Sequence, residues 1–238
     1  MLMRQTHDFK RAQEWATESF GRPNLFETWM PAAGFVKAVR TANSLAFTRG
    51  VEDPYGLGLG DEVEIDPTWK NFSIPRSIAS ERTAEFVLAG EWDAYVISTS
   101  KFTDPETGRH RHTPLSDDQE IADFLSVHAP ESSTRPGHPE IVFWSGVRST
   151  SGELLAVAAL TQWESGGFVL SSVAVHQDHR GVGLAQSLTK AVLIESALKG
   201  ISTVALGVAG KNAAAIAVYE KVGFTCMGRF NYFEQSSS

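Results

Sequence analysis

Residues 168–185 constrain this chain more than any other stretch. They run Phe168-Val169-Leu170-Ser171-Ser172-Val173-Ala174-Val175, then His176-Gln177-Asp178-His179, then Arg180-Gly181-Val182-Gly183-Leu184-Ala185. The first eight are mostly β-branched, aromatic or small and lack proline and glycine, which predicts a largely buried strand over 168–175. Beyond it the apolar positions take helical spacing: Leu184, Leu188 and Val192 recur on one side, with Leu193 and Ala197 on the adjoining stripe. Lys199 and Gly200 supply the basic last turn and the glycine that commonly close a helix. A strand delivered through a glycine-rich turn into a helix start is suited to an anion. The first helical N–H groups lack helical partners, the macrodipole is positive there, and glycine lets a phosphate approach the backbone.

Two common phosphate sites do not fit these residues. A P-loop needs Gly-Lys followed by Ser or Thr, and Gly183 is followed by Leu184-Ala185. A dinucleotide fingerprint needs a small residue where Gln186 stands and an acid near the end of the next strand; 202–208 runs into Gly207-Val208-Ala209-Gly210 without one.

Arg180, Gly183 and Ala185 are spaced as in the acetyl-coenzyme A turn of the GNAT N-acetyltransferase superfamily, which this part of the chain resembles. A second motif follows at a distance that fits one helix and one short strand. Gly210-Lys211-Asn212 leads through an alanine-rich run to Tyr219-Glu220-Lys221-Val222-Gly223-Phe224, similar to the family's Asn, short helix and Tyr-Glu-Lys-x-Gly-Phe. Asn212 suits an N-cap and Gly223 a helix end, and Asn212 and Tyr219 fall on roughly one face. The resemblance covers residues 141–233. It implies an α/β (α+β) fold in which residues 111–238 form a GNAT acetyltransferase domain, with a mixed sheet around a central strand-turn-helix. Residues 1–110 form an N-terminal α/β region that shapes the acceptor site. A degenerate copy of the same lobe is one reading of that region, although it contains no Arg-x-x-Gly-x-Ala turn.

The resemblance also implies roles. Arg180 and the turn Gly181, Val182, Gly183, Leu184 and Ala185 would hold the pyrophosphate of acetyl-coenzyme A, chiefly on the main-chain N–H groups of 182–185. The backbone of Val173, Ala174 and Val175 would pair with the pantetheine arm, Asn212 would contact that arm, and Tyr219 would be the general acid that protonates the departing thiolate. Many family members carry a glutamate base where this chain has Ser172. Serine cannot take a proton from an ammonium unaided at neutral pH. That leaves a water chain, a carboxylate from the acidic first part of the chain, or no base if the amine arrives neutral, and the expectation adopted is a water relayed by Ser172. The resulting activity is acetyl transfer to a primary amine of a small molecule or peptide by direct attack in a ternary complex. The alternative is a non-catalytic acyl-coenzyme A sensor.

Charge narrows the partners. The chain carries a formal −7, and residues 1–130 hold 20 acids against 13 bases, so all of that excess lies there. Nucleic acid would require a basic footprint instead. No stretch reaches the roughly 18 apolar residues of a membrane span, the start lacks the apolar core of a secretory signal, and one cysteine, Cys226, fits a reducing compartment, so a cytoplasmic location is expected. A homodimer is compatible with all of this. Cys226 reads as a core residue rather than a nucleophile. No metal is expected: His110 and His112 lack further ligands at metal spacing, and His176 and His179 sit in the phosphate turn.

Helices are predicted over 8–20, 27–39 with a regular part from Pro31, and 116–128 capped by Ser116. Strands are predicted over 44–49, 85–88, 92–98, 141–147, 153–163, 202–208 and 225–233, the 85–98 pair forming a hairpin around Ala89-Gly90. Residues 51–66, rich in glycine and acids, read as a loop ending in a short edge strand, and 101–114 as a linker. Trp144 and Trp163 are candidates for the acceptor site or for core.

Overall fold

The computed structural model describes residues 3–78, 81–102 and 112–235. Its first half runs β1 (Arg4–Thr6), α1 (Phe9–Phe20), α2 (Leu25–Trp29), β2 (Phe35–Arg40), β3 (Ser44–Arg49), β4 (Tyr55–Gly60), β5 (Asn71–Pro75) and β6 (Phe86–Ser98). The second runs β7 (His112–Leu115), α3 (Asp118–His128), β8 (Ile141–Arg148), β9 (Leu154–Gln162), β10 (Phe168–Val175), α4 (Leu184–Leu198), β11 (Thr203–Ala209), α5 (Ala213–Val222) and β12 (Thr225–Gln235). All twelve strands join in one sheet of order β1-β2-β3-β4-β5-β12-β6-β11-β10-β9-β8-β7.

That order reads the same from either end when each strand is exchanged for its counterpart in the other half. Each half has an edge strand, a helical segment, three antiparallel strands and a parallel fourth: β4 with β5 in one, β10 with β11 in the other. The last strands cross over. β11 pairs along its whole length with Trp92–Ser98 of β6, and β12 pairs with both β5 and β6. The first half is thus a second lobe of the same architecture without the helix between its parallel strands. The domain boundary expected at 110/111 falls on residues 110 and 111, outside the described residues; β6, from before it, lies between β11 and β12, from after it.

The missing helix explains a strand the composition hid. Residues 61–70 connect β4 to β5, and their Val63, Ile65 and Trp69 bury themselves with Phe72, Ile74 and Phe233. Glycines at alternate positions of β4 clear the space, because a Cβ at Gly56 would overlap the ring of Trp69 and one at Gly58 would overlap Val63. Trp69 is 2% exposed and its Nε1 donates to Thr48 Oγ1 at 2.8 Å. The expected loop over 51–66 is therefore corrected: Tyr55–Gly60 is an interior strand, glycine-rich because its neighbours are large.

Three other expectations change. No helix continues from Pro31; α2 ends at Trp29, and Phe35–Arg40 is a strand between β1 and β3, since Phe35, Val36 and Val39 suit a pleated surface and the ladder supplies the long-range bonds. The hairpin over 85–98 is one strand: opposite it Tyr232 faces Gly90 and Phe233 faces Leu88, so Ala89 is an extra residue in a bulge rather than a turn. The cap of α3 is Asp117, not Ser116; its carboxylate accepts from Gln119 N at 3.1 Å and Glu120 N at 3.0 Å. Most of the linker expected over 101–114 lies outside the described residues, but His112–Leu115 pairs with β8.

In the second half, α4 and α5 bury Leu184, Leu188, Val192 and Val222 with Leu170, Leu206 and Tyr95. The opposite face is covered by α3 over Trp144, Val157 and Ala174. In the first half α1 and α2 cover Phe47, Leu57 and, across the lobe junction, Ala94 and Phe230.

At that junction a carboxylate is buried between two bases. Asp93, on β6 with its side chain 3% exposed, accepts from Arg76 Nη2 at 2.6 Å, and Arg229 Nε on β12 lies 3.6 Å away. Arg76 follows β5, so the cluster joins both halves. Removing Arg76 would leave a buried charge beside one exposed arginine. Arg76→Ala is expected to cost about 3 kcal/mol in urea denaturation; a loss below about 1 kcal/mol would mean that Arg229 alone balances Asp93.

Candidate active site

The two central parallel strands of the second half are joined at one point. The parallel pairing of β10 with β11 is confined to Val169 and Ala205, after which the strands diverge. On its other side β10 pairs with β9 up to Ser171 and Ala159 and resumes at Ala174 and Val157, so one extra residue bulges out. Ser172 carries the bulge with φ +51°, a left-handed conformation that costs a non-glycine residue about 1 kcal/mol. Its hydroxyl holds it there, donating to Thr134 O at 2.9 Å while accepting from Thr134 N at 3.2 Å. The Ser172 proton is thus engaged with the main chain of segment 129–140. Val173 and Val175 are half-buried along the diverging edge, whereas the Ala174 side chain is buried under α3.

The turn after β10 leads into α4 as the sequence predicts. Gly181 and Gly183 both adopt positive φ, at 80° and 90°. Among the described α-helices, α1, α2, α3 and α5 are each capped by a side chain, from Asp8, Asn24, Asp117 and Asn212 respectively; α4 has Gly183 at its N-cap and no side-chain cap bond. Its first-turn N–H groups therefore face outward without a side-chain acceptor. Val182 is 63% exposed beside them, and Leu184 anchors the turn from below in the core. Arg180 spans the end of β10 and the end of α3, donating from Nε to Val175 O at 3.3 Å and from Nη2 to His128 O at 2.9 Å.

The second motif lies across the gap. Asn212 Oδ1 accepts from Ala215 N at 3.1 Å as the cap of α5. Tyr219 is buried, edge-on to Phe224 at 5.8 Å, and burial pushes its hydroxyl up to about 12. Beside it Tyr95 donates to Glu220 Oε1 at 3.1 Å and is likewise pushed up to about 12, first by burial and then by that bond. Both phenols keep their protons at neutral pH.

The opposite face of the gap holds residues that the sequence reading did not single out. Gly207 and Ala209 are exposed in the middle and at the end of β11, and Trp29 of α2 and Trp92 of β6 stand beside Gly207. Trp163 meets Trp29 edge-on at 6.0 Å, whereas Trp144 is 4% exposed under α3 and belongs to the core. The one signal for this region was a glycine inside a strand pattern, which marks close approach. Further down the same side, a cavity of about 490 Å³ lies between Asn24, Glu27 and Thr28 of the first half and Gly167, Thr203 and Ala205 of the second. Cys226 is free and half-buried. Among the described residues there is no group of three or more His, Cys, Asp or Glu placed to hold a metal, and no helix long and apolar enough to cross a membrane; His110 lies outside them.

Known proteins resemble this chain in sequence and in fold. The Acetyltransferase (GNAT) family matches residues 102–224. The ribosomal protein bS18-alanine N-acetyltransferase of Escherichia coli K12 is 35% identical over 85 residues, covering 35% of this chain and 57% of that protein. An L-methionine sulfoximine/L-methionine sulfone acetyltransferase of Pseudomonas aeruginosa PAO1 is 28% identical over 103 residues, covering 42% of this chain and 58% of its own length. The chain thus spans somewhat over half the length of the curated relatives it matches. Among solved structures, a GCN5-related N-acetyltransferase from Sphaerobacter thermophilus superposes with a TM-score of 0.59 at 14% identity, over 97% of this chain and 94% of that one. Another from Kribbella flavida does so at 0.56 and 14%, over 97% and 96%. These likenesses extend the shared fold to both halves.

A histidine at the turn makes its stability pH-dependent. The His128 ring lies 4.1 Å from that of His176 and 4.6 Å from Phe124, and its Nδ1 accepts from Gln177 N at 3.4 Å. Burial first, then His176 and Arg180, hold its pKa below the usual 6.5, against opposing pulls from Asp178 and Glu153. As pH falls through about 6.5 the unfolded chain takes up this proton more readily than the native one. Stability contributed here is therefore intact above that pH and lost below it. The fall in Tm between about pH 7.5 and about pH 5.5 is expected to be smaller in His128→Gln than in the parent chain, by scanning calorimetry; equal falls would remove His128 as its source.

Proposed function

The chain belongs to the GNAT acetyltransferase family, and from that premise we propose that it transfers an acetyl group from acetyl-coenzyme A to a primary amine of a small molecule or peptide, by direct attack in a ternary complex. The uncapped start of α4 behind two positive-φ glycines carries this reading. Every other described α-helix closes its N-terminus with a side chain, and this one leaves its amides to an incoming anion, with Arg180 at the rim.

The residues fit the donor in three places. The first-turn amides of 182–185, with Gly181 and Gly183 allowing close approach, would hold the pyrophosphate. The edge of β10 released by its bulge, at Val173 to Val175, would pair with the pantetheine arm as an added strand, and Asn212 would meet it from the cap of α5. Bound there, acetyl-coenzyme A supplies the activated thioester. The chain's own part is to orient the two reactants, which a rigid sheet does well, and to manage protons. Tyr219 Oη, kept protonated by burial, is the acid for the departing sulfur. Ser172 positions the bulge through Thr134; its proton is committed, and a remaining lone pair is where it would hold a water. Residues 111–238 hold the donor and residues 1–110 shape the acceptor site, with β6 as the strand they share. The curated relatives take a protein-borne alanine in one case and small amino-acid derivatives in the other, and this range supports an amine acceptor. We place the protein in the cytoplasm, in keeping with its unpaired Cys226.

Titration calorimetry with coenzyme A tests the site; no heat would overturn it. Gly183→Ala, which puts a side chain at φ 90° and crowds the amides, is expected to weaken binding about tenfold or more. Tyr219→Phe is expected to slow thiol release about a hundredfold with little change in coenzyme affinity; equal rates would remove Tyr219 as the acid. Tight coenzyme binding without thiol release from any amine would make the chain a sensor instead of a transferase.

A further inference from the structure

We infer that the acceptor amine is carried on a flat, apolar group that lies against Trp29 and Trp92 over the bare backbone of Gly207. The inference rests on the transfer proposed above and names the substrate class for it. Gly207 stands in the middle of a twelve-stranded sheet, paired with Ala94 of β6, yet it is exposed. Its neighbours Leu206 and Val208 point into the core beneath α4 and α5, so the open side is the opposite one, shared with Trp92. It lies two positions past Ala205, where β11 parts from β10, so the opening is continuous with the gap assigned to the donor.

The shape is specific. A Cβ built on Gly207 would meet Trp92 Cε3 at 3.8 Å and Trp29 Cζ2 at 3.9 Å and nothing else within 4 Å. The two indoles, in contact with each other at 5.5 Å, therefore form one wall of a crevice whose floor is a peptide group. Trp92 is fixed from behind, stacked on Phe230 at 4.6 Å and donating from Nε1 to Ser73 Oγ at 3.0 Å. Trp29 is held between Trp92 at 5.5 Å and Trp163 at 6.0 Å. The indoles are half-buried, unlike Trp144 and Trp69, which are sealed in the core. Walls already locked in place cost little entropy when a ligand covers them, and a flat hydrocarbon gains most from them.

The test uses the full chain, acetyl-coenzyme A, and two primary amines, phenylethylamine and ethanolamine. Phenylethylamine is expected to give a kcat/KM about tenfold or more above ethanolamine. Gly207→Ala, whose methyl fits at ordinary contact distance, is expected to raise KM for phenylethylamine about tenfold with little change in the calorimetric affinity for coenzyme A. Equal use of the two amines, or an unmoved KM in the variant, would overturn the crevice. Binding is read separately, through quenching of tryptophan fluorescence by phenylethylamine. Quenching that Gly207→Ala weakens, without thiol release, would keep the crevice and overturn the transfer; no quenching together with no release would overturn the crevice itself.

Discussion

The pairing of β6 with β12 is the interaction on which this molecule depends. Each of these strands is the last of its own half, and each lies against the parallel fourth strand of the other: β6 against β11, β12 against β5. Without the exchange, the two halves would each expose an open strand edge of the kind proteins avoid. With it, the halves share one ladder, and Asp93, Arg76 and Arg229 fix its register by charge. The exchange also brings α2 and β6 to the side of the gap at Gly207, so the first half reaches the site although it has no anion turn of its own.

The two halves differ where function would require it. In the second, the connection between parallel strands is a turn with two left-handed glycines and a helix; in the first it is residues 61–70, folded back so that Trp69 and Val63 fill the space above Gly56 and Gly58. The same topology thus serves a cleft in one place and a packed core in the other. What separates them is whether the region beside the parallel pair is occupied by the chain itself.

How much of this could be read from the residues follows from the range of the forces involved. The turn at 180–185 and the motif from Asn212 to Phe224 were legible because left-handed glycines, caps and helical spacing act within a few residues. Strand β4 was not, because Gly56, Gly58 and Gly60 carry the composition of a loop and are explained only by what packs on them: Trp69 on Gly56, Val63 on Gly58 and the backbone of Asn43 on Gly60. Ala89-Gly90 looked like a turn because a bulge and a hairpin tip use similar residues. The surroundings of Gly207 were hidden for a similar reason: a lone glycine says that something comes close, and here Trp29 and Trp92 come from elements far away in sequence. The repeat itself left no trace visible in the sequence, since topology is kept by pattern rather than by identity.

The crossed strands also set a timetable for synthesis. β12 lies at the far end of the described chain, yet β5, made long before it, has no partner on one side until β12 arrives. A ribosome delivering this protein therefore holds out a first half that cannot seal itself, with one raw edge waiting through some 150 further residues. β5 gains that partner only once β12 has been made, so the exchange ties completion of the first half to synthesis of the second.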